Sequence, residues 1–206
     1  MEGCVLYKKL IIGTLLASLL LLAVAPVASA AEPAAKAKPT VNAVTRLLDY
    51  SANNNNSLST LITAATCGYF NGAIVDVLAT TNHTLFAPRN AAFRDLGRAL
   101  GLGDAGINSS NVCQVDTLLN APGALKTILT YHVTTPKIGY AKAEAARGTS
   151  IQMLSGEMAR VGGQQADVVR IDKAKVIRKN KRSTNGVMHV INKVMIPPTI
   201  EAALAK

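Results

Sequence analysis

The sequence has no tryptophan and few other aromatics, with three Phe and five Tyr in 206 residues. Stacking platforms for bases or sugars are therefore poorly supplied, which argues against a nucleic-acid partner. Acidic residues are scarce as well, 12 against 22 Lys and Arg. They are scattered, so no carboxylate pair stands out for acid–base work. The three histidines, His83, His132 and His189, share no local ligand spacing, and neither Cys67 nor Cys113 has a His or second Cys at zinc-ligand spacing. G-x-S-x-G, H-E-x-x-H and P-loop patterns are missing. Gly101-Leu-Gly103-Asp-Ala-Gly106 spells G-x-G-x-x-G, but no strand precedes it, so it reads as a loop. No internal repeat is visible. The expectation is a non-catalytic chain with no cofactor and no metal.

What is present begins with a targeting segment. Lys8 and Lys9 precede an apolar run from Leu10 to Ala25, Pro26 ends it, and Ala28-Ser29-Ala30 offers small residues for a signal peptidase. Residues 1–30 read as a signal peptide cleaved after Ala30. The alternative is an uncleaved anchor, because the apolar run approaches spanning length. Cys4 lies before that run, which disfavours a lipoprotein. Residues 31–39, rich in Ala, Pro and Lys, read as a flexible tether. Residues 40–200 form one domain and 201–206 a C-terminal tail. Export implies an extracellular, periplasmic or cell-surface location, with no stable membrane span once the segment is removed.

Export also shapes the cysteine and charge arguments. Cys67 and Cys113 remain as an even pair in an oxidising compartment and read as a disulfide, with two buried free thiols as the alternative. Formal net charge is +10, of which Lys8, Lys9 and Glu2 account for +1. Six cations fall in one stretch without an acid: Lys173, Lys175, Arg178, Lys179, Lys181 and Arg182. The rest of the mature chain is only about +3, so the basicity is local.

Periodicity places helices first and strands later. Thr40 is expected to cap a helix with Val41, Val44, Leu47 and Leu48 on one face. Asn53–Asn56 is a polar loop, and short helices follow around Leu58–Ile62 and Ile74–Leu78. His83–Ala87 is a strand, and Asn90–Leu102 a helix. Val115–Leu119 and Leu125–Leu129 are helical pieces split by Pro122-Gly123. After Tyr131, turn signals at Ser155-Gly156, Gly162-Gly163, Asp172-Lys173 and Asn185-Gly186 separate short strands, the last from Val187 to Ile196. Asn185-Gly186 is expected to turn through positive φ. Helices covering one face of a meander give an α+β class.

Three segments, in order, resemble the fasciclin (FAS1) family in its bacterial secreted, single-domain form. Thr84-Leu-Phe-Ala-Pro-Arg-Asn-Ala-Ala-Phe93 is similar to its first signature, with Phe86 and Phe93 as core anchors and Pro88 setting the turn. Ile128-Leu-Thr-Tyr-His-Val133 resembles its Tyr-His element. Asn185-Gly-Val-Met-His-Val-Ile-Asn-Lys-Val-Met-Ile-Pro-Pro198 resembles its closing signature, which includes Gly186 and His189. The resemblance implies a wedge-shaped antiparallel β-sandwich with helices packed at one end. It also implies adhesion, or matrix or surface contact, outside the cell. Asn192 stands where the closing signature usually has Asp, which bears on acid-dependent contacts. Phe86, Phe93, Val187 and Ile191 are expected to meet in one dry interior.

Two contact sites follow as expectations. Tyr131 and His132 match the family's Tyr-His element, which implies a contact role; for His132, as for His189, the simpler reading is a hydrogen-bonded structural histidine. The stretch from Lys173 to Arg182, with charges lining one face of a strand, would meet a polyanion such as an acidic polysaccharide; its simpler reading is a strand edge protected by lysine. The partner is then an extracellular or cell-surface protein or polysaccharide. The competing function is an extracytoplasmic carrier of a small apolar ligand, which requires an apolar cavity between the helices and the sheet.

Overall fold

The computed structural model describes residues 39–68, 73–163 and 168–205. The expected signal peptide and residues 31–38 of the tether lie outside them. Three short helices come first: α1 (Ala43–Ala52), α2 (Ser59–Ala65) and α3 (Ala73–Thr80). Asn42, not Thr40, caps α1, its side chain accepting the Thr45 N–H at 2.9 Å. The later start rotates the buried stripe onto Ala43, Leu47 and Ser51 and leaves Leu48 47% exposed. The asparagine run then earns its composition: Asn55 and Asn56 have φ of +53° and +51°, a left-handed conformation that Asn tolerates. The run reverses the chain into α2.

Strand β1 (His83–Pro88) leads into α4 (Asn90–Ala99), whose Phe93 is buried. Asn90 locks this corner to α2: its side-chain oxygen accepts from Thr60 N, and its amide donates to Asn56 O and Ser59 Oγ. α4 stops short of the expected Leu102 because the glycine loop follows. In that loop Gly106 has φ +54°, and a Cβ there would overlap the Arg94 carbonyl of α4. The G-x-G-x-x-G spelling therefore marks a tight return against a helix. A short 3₁₀ turn (Val112–Gln114), α5 (Val115–Leu118) and α6 (Ala124–Tyr131) come next. The bridge Cys67–Cys113, with Cα atoms 5.6 Å apart, joins the end of α2 to the 3₁₀ turn.

β2 (Val133–Thr134) precedes α7 (Tyr140–Ala145), a helix the sequence did not reveal because six residues display too little of a helical period. Then follow β3 (Ser150–Gln152), β4 (Met158–Gly162), β5 (Arg170–Ile171), β6 (Ala174–Arg182), β7 (Gly186–Ile191) and α8 (Pro198–Leu204). The closing run ends as a strand at Ile191, five residues earlier than expected. Pro198 opens α8, where its missing N–H costs nothing.

The strand order is β2-β1-β7-β6-β5-β4-β3. Six neighbouring pairs build it, and all are antiparallel except β1 and β7, which run parallel from His83↔Gly186 to Pro88↔Ile191. The parallel pair is the one departure from a wholly antiparallel meander. Every residue of β1 and β7 is buried, as strands covered on both faces must be. One face carries Leu85, Ala87, Met188 and Val190 into the helical core with Leu47, Leu61, Phe93 and Ile128. The other carries Phe86 and Ile191 into a second core with Tyr131, Val161, Ile171 and Val176. Residues of β1 and β7 thus share an interior with residues of β4 and β5, as in a sandwich. Phe86 and Phe93 accordingly belong to opposite faces of one sheet, not to one interior: successive residues of β1 alternate, and α4 packs on the Leu85 side. Val187 is buried in neither group.

Candidate functional site

The basic stretch occupies β6, and the strand's irregularity decides where each charge goes. Its register against β7 shifts twice, between Val176 and Arg178 and between Arg178 and Lys181. At the second shift Asn180 adopts φ +57°. Its N–H donates to His189 Nδ1 (3.3 Å) and its side-chain oxygen accepts from Tyr140 N (2.9 Å). The bulge breaks simple alternation, so the six cations do not line one face. Lys173 pairs with Glu201 of α8 at 2.8 Å. Lys179 Nζ sits 4.5 Å from the Tyr140 ring centroid. Lys181 Nζ sits 5.2 Å from that of Tyr50, on α1.

Tyr50 belongs to a second contributor that sequence reasoning missed. Arg46 of α1 donates from Nε to the Arg182 carbonyl at 3.1 Å, which fixes the helix against the basic strand. Between them lies an open cleft of about 230 Å³, walled by Arg46, Arg178 and Lys181 and completed by Asp49, Tyr50, Asn53 and Asn54. No local signal could have joined Arg46 to a strand 136 residues away.

The Tyr-His element corrects a second expectation. Tyr131 and His132 are each 1% exposed; His132 is enclosed, and Tyr131 borders an open pocket of about 240 Å³. The Tyr131 hydroxyl lies 2.8 Å from Asp172 Oδ2, to which it donates, and 3.1 Å from the Met158 carbonyl. Burial, and then the Asp172 carboxylate, push its pKa upward. Asp172, at φ +50° in the β5–β6 turn, also accepts from Arg160 N at 2.7 Å. His132 accepts the Met195 N–H at Nε2 (2.9 Å), so its proton is on Nδ1, which donates to the Ile128 carbonyl at 2.7 Å. Both ring nitrogens are satisfied only in the neutral form, and burial lowers the pKa to about 4. His189 is held likewise, with Nε2 donating to the Ile138 carbonyl, and burial lowers its pKa too. His83 donates from Nδ1 to Thr81 O, and burial lowers its pKa against the opposing pull of that bond.

The closing signature has a mechanical meaning. Neither Asn185 nor Gly186 adopts positive φ, contrary to expectation. Asn185 accepts from Ala43 N and donates to the Leu78 and Ala79 carbonyls, each at 2.9 Å, tying α1 and α3 to the start of β7. Gly186 admits the His83 ring: a Cβ there would lie 2.8 Å from His83 Nε2. Pro88 ends β1 opposite Ile191, and the Phe86 ring stacks on His189 at 5.8 Å. Asn192 keeps an acceptor in place of the usual acid, its oxygen taking the Lys175 N–H at 2.7 Å.

Among the described residues, no group of three or more His, Cys, Asp or Glu comes together to hold a metal. None of the described helices is long and apolar enough to cross a membrane. The apolar gap lined by Leu47, Leu61, Ile74, Leu78, Leu85 and Leu129 offers only about 10 Å³.

This arrangement defines an α+β domain of the FAS1 fold. A FAS1 domain pair from the insect cell adhesion molecule fasciclin I superimposes with a TM-score of 0.58 at 17% identity, covering 79% of this chain and 53% of that one. The fasciclin domain model matches residues 56–197, and the chain belongs to that family. The immunogenic protein MPB70 of Mycobacterium bovis is 32% identical over 149 residues, 71% of this chain and 67% of the relative. Protein sll1483 of Synechocystis is 33% identical over 156 residues, 71% of each. The cell surface glycolipoprotein MPB83 of M. bovis is 30% identical, and the match spans 59% of its length.

Proposed function

We propose that the chain is an exported, non-catalytic adhesion module that attaches to acidic polysaccharide at the cell surface or in the surrounding matrix. The observation that carries this reading is the concentration of cations on β6, none of them in an ion pair among the described residues, to which α1 adds Arg46. Family membership and the names of relatives, one of them a cell surface glycolipoprotein, support a place outside the cell. The carrier reading is disfavoured, because the apolar gap of about 10 Å³ holds at most one water, against roughly 300 Å³ or more in ordinary ligand pockets.

The test is binding of the full chain to immobilised polygalacturonate across a salt series. Affinity should fall steadily as salt rises, since exposed charges are screened within about 10 Å at 0.1 M. Neutralising Lys179, Lys181 and Arg182 together to Gln removes three exposed ion pairs at about 0.5 kcal/mol each, or roughly tenfold in affinity. Binding that ignores salt, or survives the triple substitution, would refute the reading.

A further inference from the structure

Positive charge on β6 accounts for attraction to an anion but not for a choice among anions. The cleft between α1 and β6 holds both kinds of group that such a choice needs. Arg178 and Lys181 bring charged donors from the strand, and Arg46 brings a third from the helix. The Arg46 Nε bond to the Arg182 carbonyl holds that guanidinium in place. Asp49 contributes a carboxylate beside these three cations, yet it forms no ion pair with any of them among the described residues. Asn53 and Asn54 donate their amide nitrogens back to the Asp49 and Tyr50 carbonyls, each at 2.7 Å, which leaves both carboxamide oxygens as acceptors. The cleft therefore combines cationic donors for an anion with carboxylate and carboxamide acceptors for hydroxyls.

Sulfate has no proton for Asp49, phosphate near neutral pH offers one or two P–OH protons but no ring of hydroxyls, and both are repelled by the carboxylate. A uronic acid satisfies both sides, because its carboxylate stands on a ring that carries hydroxyls. The open volume of about 230 Å³ falls below the roughly 300 Å³ at which ordinary ligand pockets begin, so it suits a single sugar unit of a chain that continues outside. We propose that this cleft is a subsite for one hexuronate unit, with the carboxylate on Arg178 and Lys181 and the ring hydroxyls on Asp49, Asn53 and Asn54. The inference rests on the acidic-polysaccharide reading and names the sugar chemistry within it.

The experiment titrates the full chain and its variants with trigalacturonate and, separately, with tripolyphosphate, under one buffer. The wild-type chain should prefer trigalacturonate. Arg178→Gln should weaken trigalacturonate roughly tenfold, as loss of a charge-assisted contact does. Asp49→Asn separates the ligands: it should weaken trigalacturonate and strengthen tripolyphosphate. If Asp49→Asn strengthens both alike, the acid is only repulsive and the subsite is refuted. If trigalacturonate binding is indifferent to Arg178 and Asp49 while polygalacturonate still binds with the expected salt dependence, the subsite fails and the broader reading stands. If neither the oligomer nor the polymer binds, both fall.

Discussion

Replacing His132 by alanine is expected to destabilise the domain by about 4 kcal/mol, combining a cavity in a packed interior with a stranded Met195 N–H. Affinity of the molecules that remain folded for acidic polysaccharide should not change, because the side chain is buried and sits at the end of α6, outside the lining of the basic cleft. Denaturant midpoints measure the first effect, and titration below the variant's melting temperature measures the second. A stable variant that loses binding would restore the contact role and overturn the structural one. The same residue sets a pH dependence. Its folded pKa is about 4 against 6.5 unfolded, so between those values the unfolded chain takes up a proton that the folded chain refuses. Its contribution is fully present above pH 6.5 and falls as pH drops toward 4, by up to about 3 kcal/mol. His83 and His189 shift in the same direction and add to the acid sensitivity. The His132→Ala variant should show a shallower loss over that window.

Removing the bridge with Cys67→Ala and Cys113→Ser is expected to cost a similar amount. The bridge closes a loop of 46 residues. Chain entropy for a loop of that length gives about 4 kcal/mol, as an upper figure. The loop spans α3, β1 and α4, so the denatured chain loses freedom over much of the helical half. Equilibrium unfolding of the double variant beside the oxidised wild type measures the difference. A midpoint unchanged by the substitutions would show that the bridge does not constrain the unfolded chain.

The sequence carried those features whose signals are local. The Phe-Ala-Pro run, Pro122-Gly123 and the paired cysteines each announce a turn, a break or a link within a few residues or by simple count. The basic stretch was visible for the same reason. Its division was not, because the bulge at Asn180 depends on His189 and Tyr140, partners on other elements. The Tyr-His pair left contact and structure both open, and only the Met195 segment, whose N–H reaches His132, decides for structure. Asn185 and Gly186 read as turn residues, which is their commonest use. Their actual work, hydrogen bonds to α1 and α3 and room for a histidine ring, requires knowing which helices arrive there. Arg46 lay beyond reach because a helix rotated by one capping residue decides what it faces.

If charge on β6 and α1 holds this domain to acidic polysaccharide outside the cell, its attachment must yield to salt and to a competing polyanion. The most direct measurement is retention of the purified full chain on envelope and matrix material prepared from the cells that make it. The chain should be retained at low salt and released by high salt or by added polygalacturonate, and the Lys179, Lys181 and Arg182 triple variant should be retained poorly. Equal retention of the variant, or retention that persists in high salt with polygalacturonate present, would contradict it.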